Sequence, residues 1–270
     1  MNDLIKRAIT GIIIVAIILA GVSINQFTFM IIFLAILVTG LFEFYQIFEK
    51  AGKSPQKIAG IFFGVLIFFI SYGIDTGYMK PYFTATFIPV ILFVVISELF
   101  RKHPSPFENI SVTFFGIVYI AVPISLLWYL AFRDNNSLYN PKLILGYFFL
   151  IWVNDTMAYL TGITFGKHKL FERISPKKTW EGAIGGFVFC LGVAYLISIY
   201  FNELTSWQWL IFGTIVAIFG TFGDLTESML KRSIDIKDSG TFLPGHGGIL
   251  DRFDALFLAV PAVYLYLQFI

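Results

Sequence analysis

Residues 27–47 read FTFMIIFLAILVTGLFEFYQI, an almost unbroken apolar run in which Glu43 is the one charged side chain. A helix that crosses a bilayer needs about 20 mostly apolar residues, so this run is long enough to span. The pattern extends to the whole chain. Of its 270 residues, 57% are hydrophobic and only 13% are charged, whereas a soluble domain carries about 25% charged residues. The sequence therefore predicts an all-α, polytopic membrane protein.

Further apolar runs flank this one and predict about nine transmembrane helices in all. The predicted spans are 8–25, 27–47, 59–75, 82–100, 110–132, 143–165, 182–201, 207–230 and 253–269. With the N-terminus inside, all but three of the 19 Lys and Arg residues fall on the cytoplasmic side, as the positive-inside rule requires. We therefore expect a multi-pass protein of the cell (inner) membrane, with its N-terminus and the loops at 166–181 and 231–252 in the cytoplasm.

Polar residues are concentrated in the second half of the chain. The first five spans carry few charges, whereas the inside segments of the last four are rich in Lys, Arg, Asp, Gly and Pro. This asymmetry predicts one integral unit with two regions. Residues 1–135 would form N-terminal membrane scaffold helices, and residues 136–270 a catalytic transmembrane region with cytoplasmic loops.

The densest polar segment is residues 224–254, DLTESMLKRSIDIKDSGTFLPGHGGILDRFD. It begins with four polar residues at helical spacing, which places them on one helix face; they are Asp224, Glu227, Ser228 and Lys231. The glycines and the proline that follow favour turns and a close approach of the backbone to a ligand.

Acidic residues lie at both ends of this segment, because Asp224 lies in the cytoplasmic end of the eighth span and Asp251 and Asp254 lie at the start of the ninth. Carboxylates hold a hard cation such as Mg²⁺, which takes its other ligands from water and phosphate oxygens. Lys and Arg neutralise phosphate charge. The segment therefore fits a metal–polyphosphate site.

Taken singly, the same residues have plainer interpretations. Asp251 is suited to capping the ninth helix, and Asp224 with Lys231 to a structural pair. Lys231 and Arg232 also fit the role of positive-inside anchors, and His246 that of an ordinary loop histidine. The functional interpretation depends on their density in one segment.

A second polar group begins inside the sixth span with Asn154 and Asp155. An acid in the middle of a membrane span is costly and is by default a functional candidate. The alternative is a helix–helix hydrogen bond from Asn154 or a protonated Asp155. Further on, the Ser-Pro pair at 175–176 predicts a helix start. Lys177 and Lys178 would then lie in a first turn that favours anions, although membrane anchoring explains them more simply.

The second half of the segment resembles the signature of the phosphatidate cytidylyltransferases, also called CDP-diacylglycerol synthases. The resemblance is carried by Ser228, Lys231, Arg232, Lys237, Asp238, Gly240, Leu243, Pro244, His246, Gly247, Gly248, Asp251, Arg252 and Asp254. The stretches at 154–155 and 175–182 and the multi-span layout also look like this family. Met157-Ala158 is a mild departure, since a small pair is expected there.

This resemblance implies a reaction in which CTP and phosphatidic acid give CDP-diacylglycerol and pyrophosphate, with Mg²⁺ as cofactor and a second metal ion left open. The implied partners are CTP, phosphatidic acid and the lipid bilayer. No nucleic acid is expected, and a homodimer is left open.

The resemblance also implies roles for individual residues. Asp224 and Asp251 would be the metal ligands. The catalytic residues would be Asp224, Asp251, Lys231, Arg232 and His246. The substrate-binding residues would be Asp155, Lys177, Lys178, Ser228, Lys237, Asp238, Gly247, Gly248, Arg252 and Asp254.

Two other classes of function remain as alternatives. One is a CTP-dependent polyprenol or lipid kinase, which would phosphorylate a lipid alcohol. The other is an ion-coupled transporter, in which Asp155 and Asp224 would bind ions along a path. The transporter does not explain why basic and glycine residues crowd one face of the membrane.

Overall fold

The computed structural model describes residues 3–133, 138–236, 239–240 and 247–270, with side chains from residue 10 onward. Three residues of the predicted site, Lys237, Asp238 and His246, lie outside the described residues.

Ten α-helices account for most of this part of the chain. They are α1 (Asp3–Ile24), α2 (Gln26–Lys50), α3 (Lys57–Asp75), α4 (Phe87–Phe100), α5 (Pro106–Gly116), α6 (Val122–Ala131), α7 (Lys142–Phe165), α8 (Trp180–Tyr200), α9 (Ser206–Ser233) and α10 (Leu250–Gln268). A 3₁₀ turn, Pro81–Thr86, leads into α4, and a π-helical turn, Ile117–Ala121, joins α5 to α6.

Seven helical segments within the described residues are long and apolar enough to cross a membrane. They are Gln26–Lys50, Lys57–Asp75, Pro81–Phe100, Pro106–Ala131, Lys142–Phe165, Trp180–Tyr200 and Ser206–Ser233. The helices α1 and α10 occupy the positions of the first and ninth predicted spans. The all-α, multi-pass membrane fold is therefore confirmed, and the count of nine is approximate.

A polar cap separates the first two helices, because lipid cannot satisfy the free N–H groups at a helix start. Between α1 and α2 the break is a single residue, Asn25. Its side-chain oxygen accepts the N–H groups of Phe27 (2.9 Å) and Thr28 (3.0 Å), and the Thr28 hydroxyl accepts the N–H of Asn25 in return (3.2 Å). This capping box allows the chain to reverse direction within one residue.

A β-hairpin stands where the Ser-Pro pair predicted a helix start, so that prediction is wrong. Strand β1 (Lys169–Phe171) pairs antiparallel with β2 (Ser175–Thr179), and α8 begins only at Trp180. The Glu181 carboxylate fixes the base of the hairpin, since it accepts the N–H groups of Lys167 (3.1 Å) and His168 (3.2 Å). The start of α8 is capped by Thr179, three residues beyond the proline, whose hydroxyl accepts the N–H of Gly182 (3.2 Å).

The chain forms two compact units. The first contains residues 1–139 with 238–252, and the second contains residues 140–237 with 253–270. The core of the first is rich in aromatic rings around fully buried Trp128, and that of the second includes fully buried Tyr147, Trp209 and Phe212. The proposed separation of scaffold and catalytic functions at residues 135/136 stays a prediction.

Candidate active site

Within the second unit, α7 and α8 approach each other through glycines of α8. A Cβ atom on Gly186 would lie 2.7 Å from the carbonyl oxygen of Asn154, and one on Gly182 would lie 2.7 Å from that of Ala158. Only glycine allows the two backbones to come this close. The contact buries Asn154, whose side-chain nitrogen lies 3.5 Å from the Asp155 carboxylate.

A similar contact joins α9 and α10. A Cβ atom on Gly223 would lie 2.6 Å from the carbonyl oxygen of Asp254 and 2.9 Å from the Cα of Ala255. Gly223 directly precedes Asp224. The backbones that carry Asp224 and Asp254 are therefore held against each other.

Together these contacts bring four acids of the second unit into electrostatic range. Asp254 interacts with Asp155, Asp224 and Glu227, and Asp155 interacts with Asp224. The Glu227 side chain is 2% exposed, whereas Asp155 is exposed and Asp224 and Asp254 are half-buried. We call Asp155, Asp224, Glu227 and Asp254 the acidic cluster. Like charges this close need cations nearby to remain ionised.

Two lysines supply positive charge to the acidic cluster. Lys178 Nζ lies 2.5 Å from Asp224 Oδ2, and Lys231 Nζ lies 2.6 Å from Glu227 Oε2. Lys178 reaches the acids from β2, and its neighbour Lys177 is exposed, because successive side chains of a strand point to opposite faces. No ion pair of Lys177 is found in the described part of the chain. The hairpin thus separates two lysines that the sequence presents as a pair.

The remaining predicted residues of α9 lie beside the cluster. Ser228 is half-buried directly after Glu227. Arg232 is exposed at the end of α9, where its guanidinium donates to the carbonyl oxygen of Ile236 (3.4 Å). Glu227 shares its helix face with Asp224, but it was not among the predicted site residues. Its burial beside Asp224 is the observation that adds Glu227 to the candidate site.

Asp251 belongs to the first unit, where its carboxylate organises the glycine-rich segment. Asp251 Oδ2 accepts the N–H groups of Gly248 (2.9 Å) and Ser239 (3.1 Å). Gly247 has a positive φ of 84° and packs against the same carboxylate oxygen, an arrangement that an L side chain would disturb. Arg252 follows, exposed, in the first turn of α10. Asp251 therefore anchors the segment before α10, and it lies inside the helix, which begins at Leu250.

Glu43 is a second acid of the first unit at this segment, and it is not among the site residues that the sequence predicts. It is 5% exposed near the end of α2, and its Oε2 accepts the N–H of Leu250 (3.1 Å). A charged residue inside an apolar run was the available signal, but nothing in the sequence indicated which segment it contacts.

Binding of Mg²⁺ together with a phosphate substrate stays a prediction. Within the described ranges, no group of three or more His, Cys, Asp or Glu residues has a metal-binding arrangement. Mg²⁺ nevertheless needs only one or two carboxylates when phosphates and waters supply the other ligands. At present the Asp224 carboxylate is paired with the ammonium of Lys178.

Comparison with known proteins places the chain in a family. The profile of the cytidylyltransferase family matches residues 5–270. A phosphatidate cytidylyltransferase of Thermotoga maritima is 33% identical over 98% of this chain and 96% of its own length. One of Staphylococcus haemolyticus is 34% identical over 78% of this chain and 80% of its own.

A phosphatidate cytidylyltransferase of Staphylococcus aureus is 39% identical, and the match spans 65% of this chain and 66% of that protein, just under two thirds of its length. The profile match over nearly all of the chain agrees with the resemblance found in its motifs. The chain belongs to the cytidylyltransferase family.

Proposed function

We propose that this protein transfers the CMP group of CTP to phosphatidic acid, which gives CDP-diacylglycerol and pyrophosphate, as a membrane-embedded nucleotidyltransferase of phospholipid biosynthesis. The observation that carries the proposal is the acidic cluster with Lys178 and Lys231, in a chain that matches the family over its length. Proteins named phosphatidate cytidylyltransferase are its relatives.

The reaction places two anionic substrates close together. A phosphate oxygen of phosphatidic acid attacks the α-phosphorus of CTP, the bond from that phosphorus to the bridging oxygen breaks, and the electron pair leaves with pyrophosphate. A phosphate dianion is already a nucleophile at neutral pH, so the site needs no strong base. Its contribution is to position the two phosphates and stabilise their charge.

Acidic and basic residues of the chain have different roles in this reaction. On the family resemblance, Asp224 and Asp251 are each assigned to Mg²⁺ as ligands. When bound, Mg²⁺ supplies positive charge at phosphate oxygens without any proton transfer. Lys178 and Lys231 are each oriented by a carboxylate, so their ammonium groups are fixed in direction before a phosphate arrives. Further phosphate contacts are assigned to Arg232, Lys237 and Arg252 on the family resemblance.

The fate of the CTP phosphates tests the reaction. We expect label in the α-phosphate of CTP to enter the lipid and label in the γ-phosphate to leave as pyrophosphate, when purified protein is given Mg²⁺ and phosphatidic acid. Diacylglycerol in place of phosphatidic acid is the control and should remain unlabelled. Lipid labelled from the γ-position would support the lipid kinase instead, and no labelling from either position would favour the transporter.

The proposed setting is the inner cell membrane, with the polar loops on the cytoplasmic side where CTP is found. The bias of Lys and Arg supports this orientation. A homodimer stays open.

Cysteine labelling tests the orientation. In a Cys190→Ala background, Arg173→Cys and Tyr78→Cys each introduce one exposed thiol, in the hairpin and in the segment after α3 respectively. We expect an impermeant maleimide to label position 78 in intact cells and position 173 only after permeabilisation. The reverse pattern would contradict the proposed orientation.

A further inference from the structure

We propose that Glu43 is a positioning residue, which holds the beginning of α10 and thereby fixes Asp251 and Arg252 for phosphate chemistry. The proposal rests on the proposed function, and it assigns a role in that site to a helix of the N-terminal scaffold region.

The first observation is a direct hydrogen bond. Glu43 Oε2 accepts the N–H of Leu250 at 3.1 Å. Leu250 is the first residue of α10 and directly precedes Asp251. The Cδ2 atom of Leu250 lies 3.8 Å from where a Cβ on Gly40 would stand, one helical turn before Glu43 on α2. Both the backbone and the side chain of Leu250 are therefore held by α2.

The second observation is close packing of glycines around the Glu43 carboxylate. A Cβ atom on Gly248 would lie 2.5 Å from Glu43 Oε2, and one on Gly240 would lie 2.9 Å from Glu43 Oε1. Any side chain at either position would displace the carboxylate or the segment. These glycines belong to the family signature, and their contact with Glu43 gives a physical reason for glycine there.

The third observation is the division of backbone donors between two carboxylates. Asp251 accepts the N–H groups of Ser239 and Gly248, and Glu43 accepts that of Leu250. The first N–H groups of a helix have no partner within it and attract negative charge. Glu43 accepts one of these N–H groups, that of Leu250. Asp251 is therefore held in one orientation by two anchors, which are this bond next to its backbone and the hydrogen bonds to its own carboxylate.

Burial of an acid in a membrane helix costs free energy. A purely structural role for Glu43 is therefore the alternative that the experiment must distinguish from positioning. The chain offers a matched control in Glu98. It is 3% exposed near the end of α4 and accepts hydrogen bonds from Gln56 (2.7 Å), Asn109 (3.0 Å) and Arg101 (2.8 Å). All these partners lie within residues 56–109, and none belongs to the segment before α10.

Binding of Mg²⁺ and CTP, measured as the rise in melting temperature of the purified protein, gives a readout that is independent of turnover. Loss of a group that orients a metal ligand typically weakens metal affinity or activity by about 10- to 100-fold. We expect Glu43→Ala to require about tenfold more Mg²⁺ for half of the CTP-dependent rise, and for half-maximal turnover. Glu43→Gln keeps an oxygen that can accept from Leu250, so it should recover most of the affinity.

Glu98→Ala is expected to lower the melting temperature in EDTA while the Mg²⁺ concentration for half of the rise stays at the wild-type value. If Glu43→Ala does not fold, Glu43→Asp carries the test, because it keeps the charge but withdraws it from Leu250. A wild-type Mg²⁺ dependence in folded Glu43→Ala or Glu43→Asp would overturn the proposal. If the wild-type protein binds Mg²⁺ and CTP but forms no α-labelled lipid, the proposed function fails while the role of Glu43 is still measured.

Discussion

Asp224→Asn is expected to reduce kcat/KM for CTP by about a thousandfold, which corresponds to about 4 kcal/mol of lost transition-state stabilisation. Asparagine has nearly the same shape, so the α9–α10 contact at Gly223 should survive. It lacks the charge that would bind Mg²⁺ and that pairs with Lys178. The measurement is incorporation of α-labelled CTP into lipid by purified protein, with melting temperature as the check on folding.

Asp235→Asn is the control for this variant. Asp235 is exposed after α9 and has a positive φ of 55°, a conformation that asparagine adopts as readily as aspartate. Its activity should stay within about twofold of wild type, since surface substitutions of this kind change little. Near-normal turnover by Asp224→Asn, with the fold intact, would remove Asp224 from the metal site.

Lys178→Ala is the second change with a large expected effect. We expect kcat/KM to fall about a hundredfold, because loss of one charged donor to the phosphate being transferred costs a factor of this size. Lys178 forms an ion pair with Asp224, with Nζ at 2.5 Å from Oδ2. Its loss should leave Asp224 and the neighbouring acids less compensated. Initial rates over a range of CTP concentrations would separate KM from kcat.

Two other lysines of the hairpin provide the comparison. Lys169→Ala removes an exposed lysine of β1 and should change kcat/KM by less than about threefold. Lys177→Ala removes the exposed neighbour of Lys178, and a loss well below that of Lys178→Ala is expected. Equal losses from positions 177 and 178 would mean that the net charge of the hairpin matters, and not the contact with Asp224.

The sequence could predict the membrane spans because hydrophobic length is a local property. Most apolar runs became a single helix within a few residues of the predicted bounds, for example 207–230 against Ser206–Ser233, whereas the run 110–132 contains α5, the π-helical turn and α6. The spacing from Asp224 to Lys231 likewise required only helical geometry to place these residues on one face.

The sequence could not predict contacts that depend on tertiary packing. The hairpin at 169–179 was missed because its closure depends on Glu181, whereas the local Ser-Pro signal is typical of a helix start. Glu43 was missed as a site residue because its hydrogen-bonding partner, Leu250, lies 207 positions away along the chain. Lys231 pairs with Glu227, whereas the plainer interpretation of the sequence paired it with Asp224. The two acids lie on the same helix face as Lys231, so spacing alone does not decide between them.

Residues 238–252 belong to the same compact unit as residues 1–139, which limits how proteins of this family can be recombined. A segment that carries much of the family signature packs on α2, far away in the sequence. The N-terminal helices are therefore not an exchangeable membrane anchor. A chimera that joins the C-terminal half to foreign helices would also need an acid at position 43 and a small residue at position 40. Without them it would contain the signature but lack the α2 surface on which the segment packs.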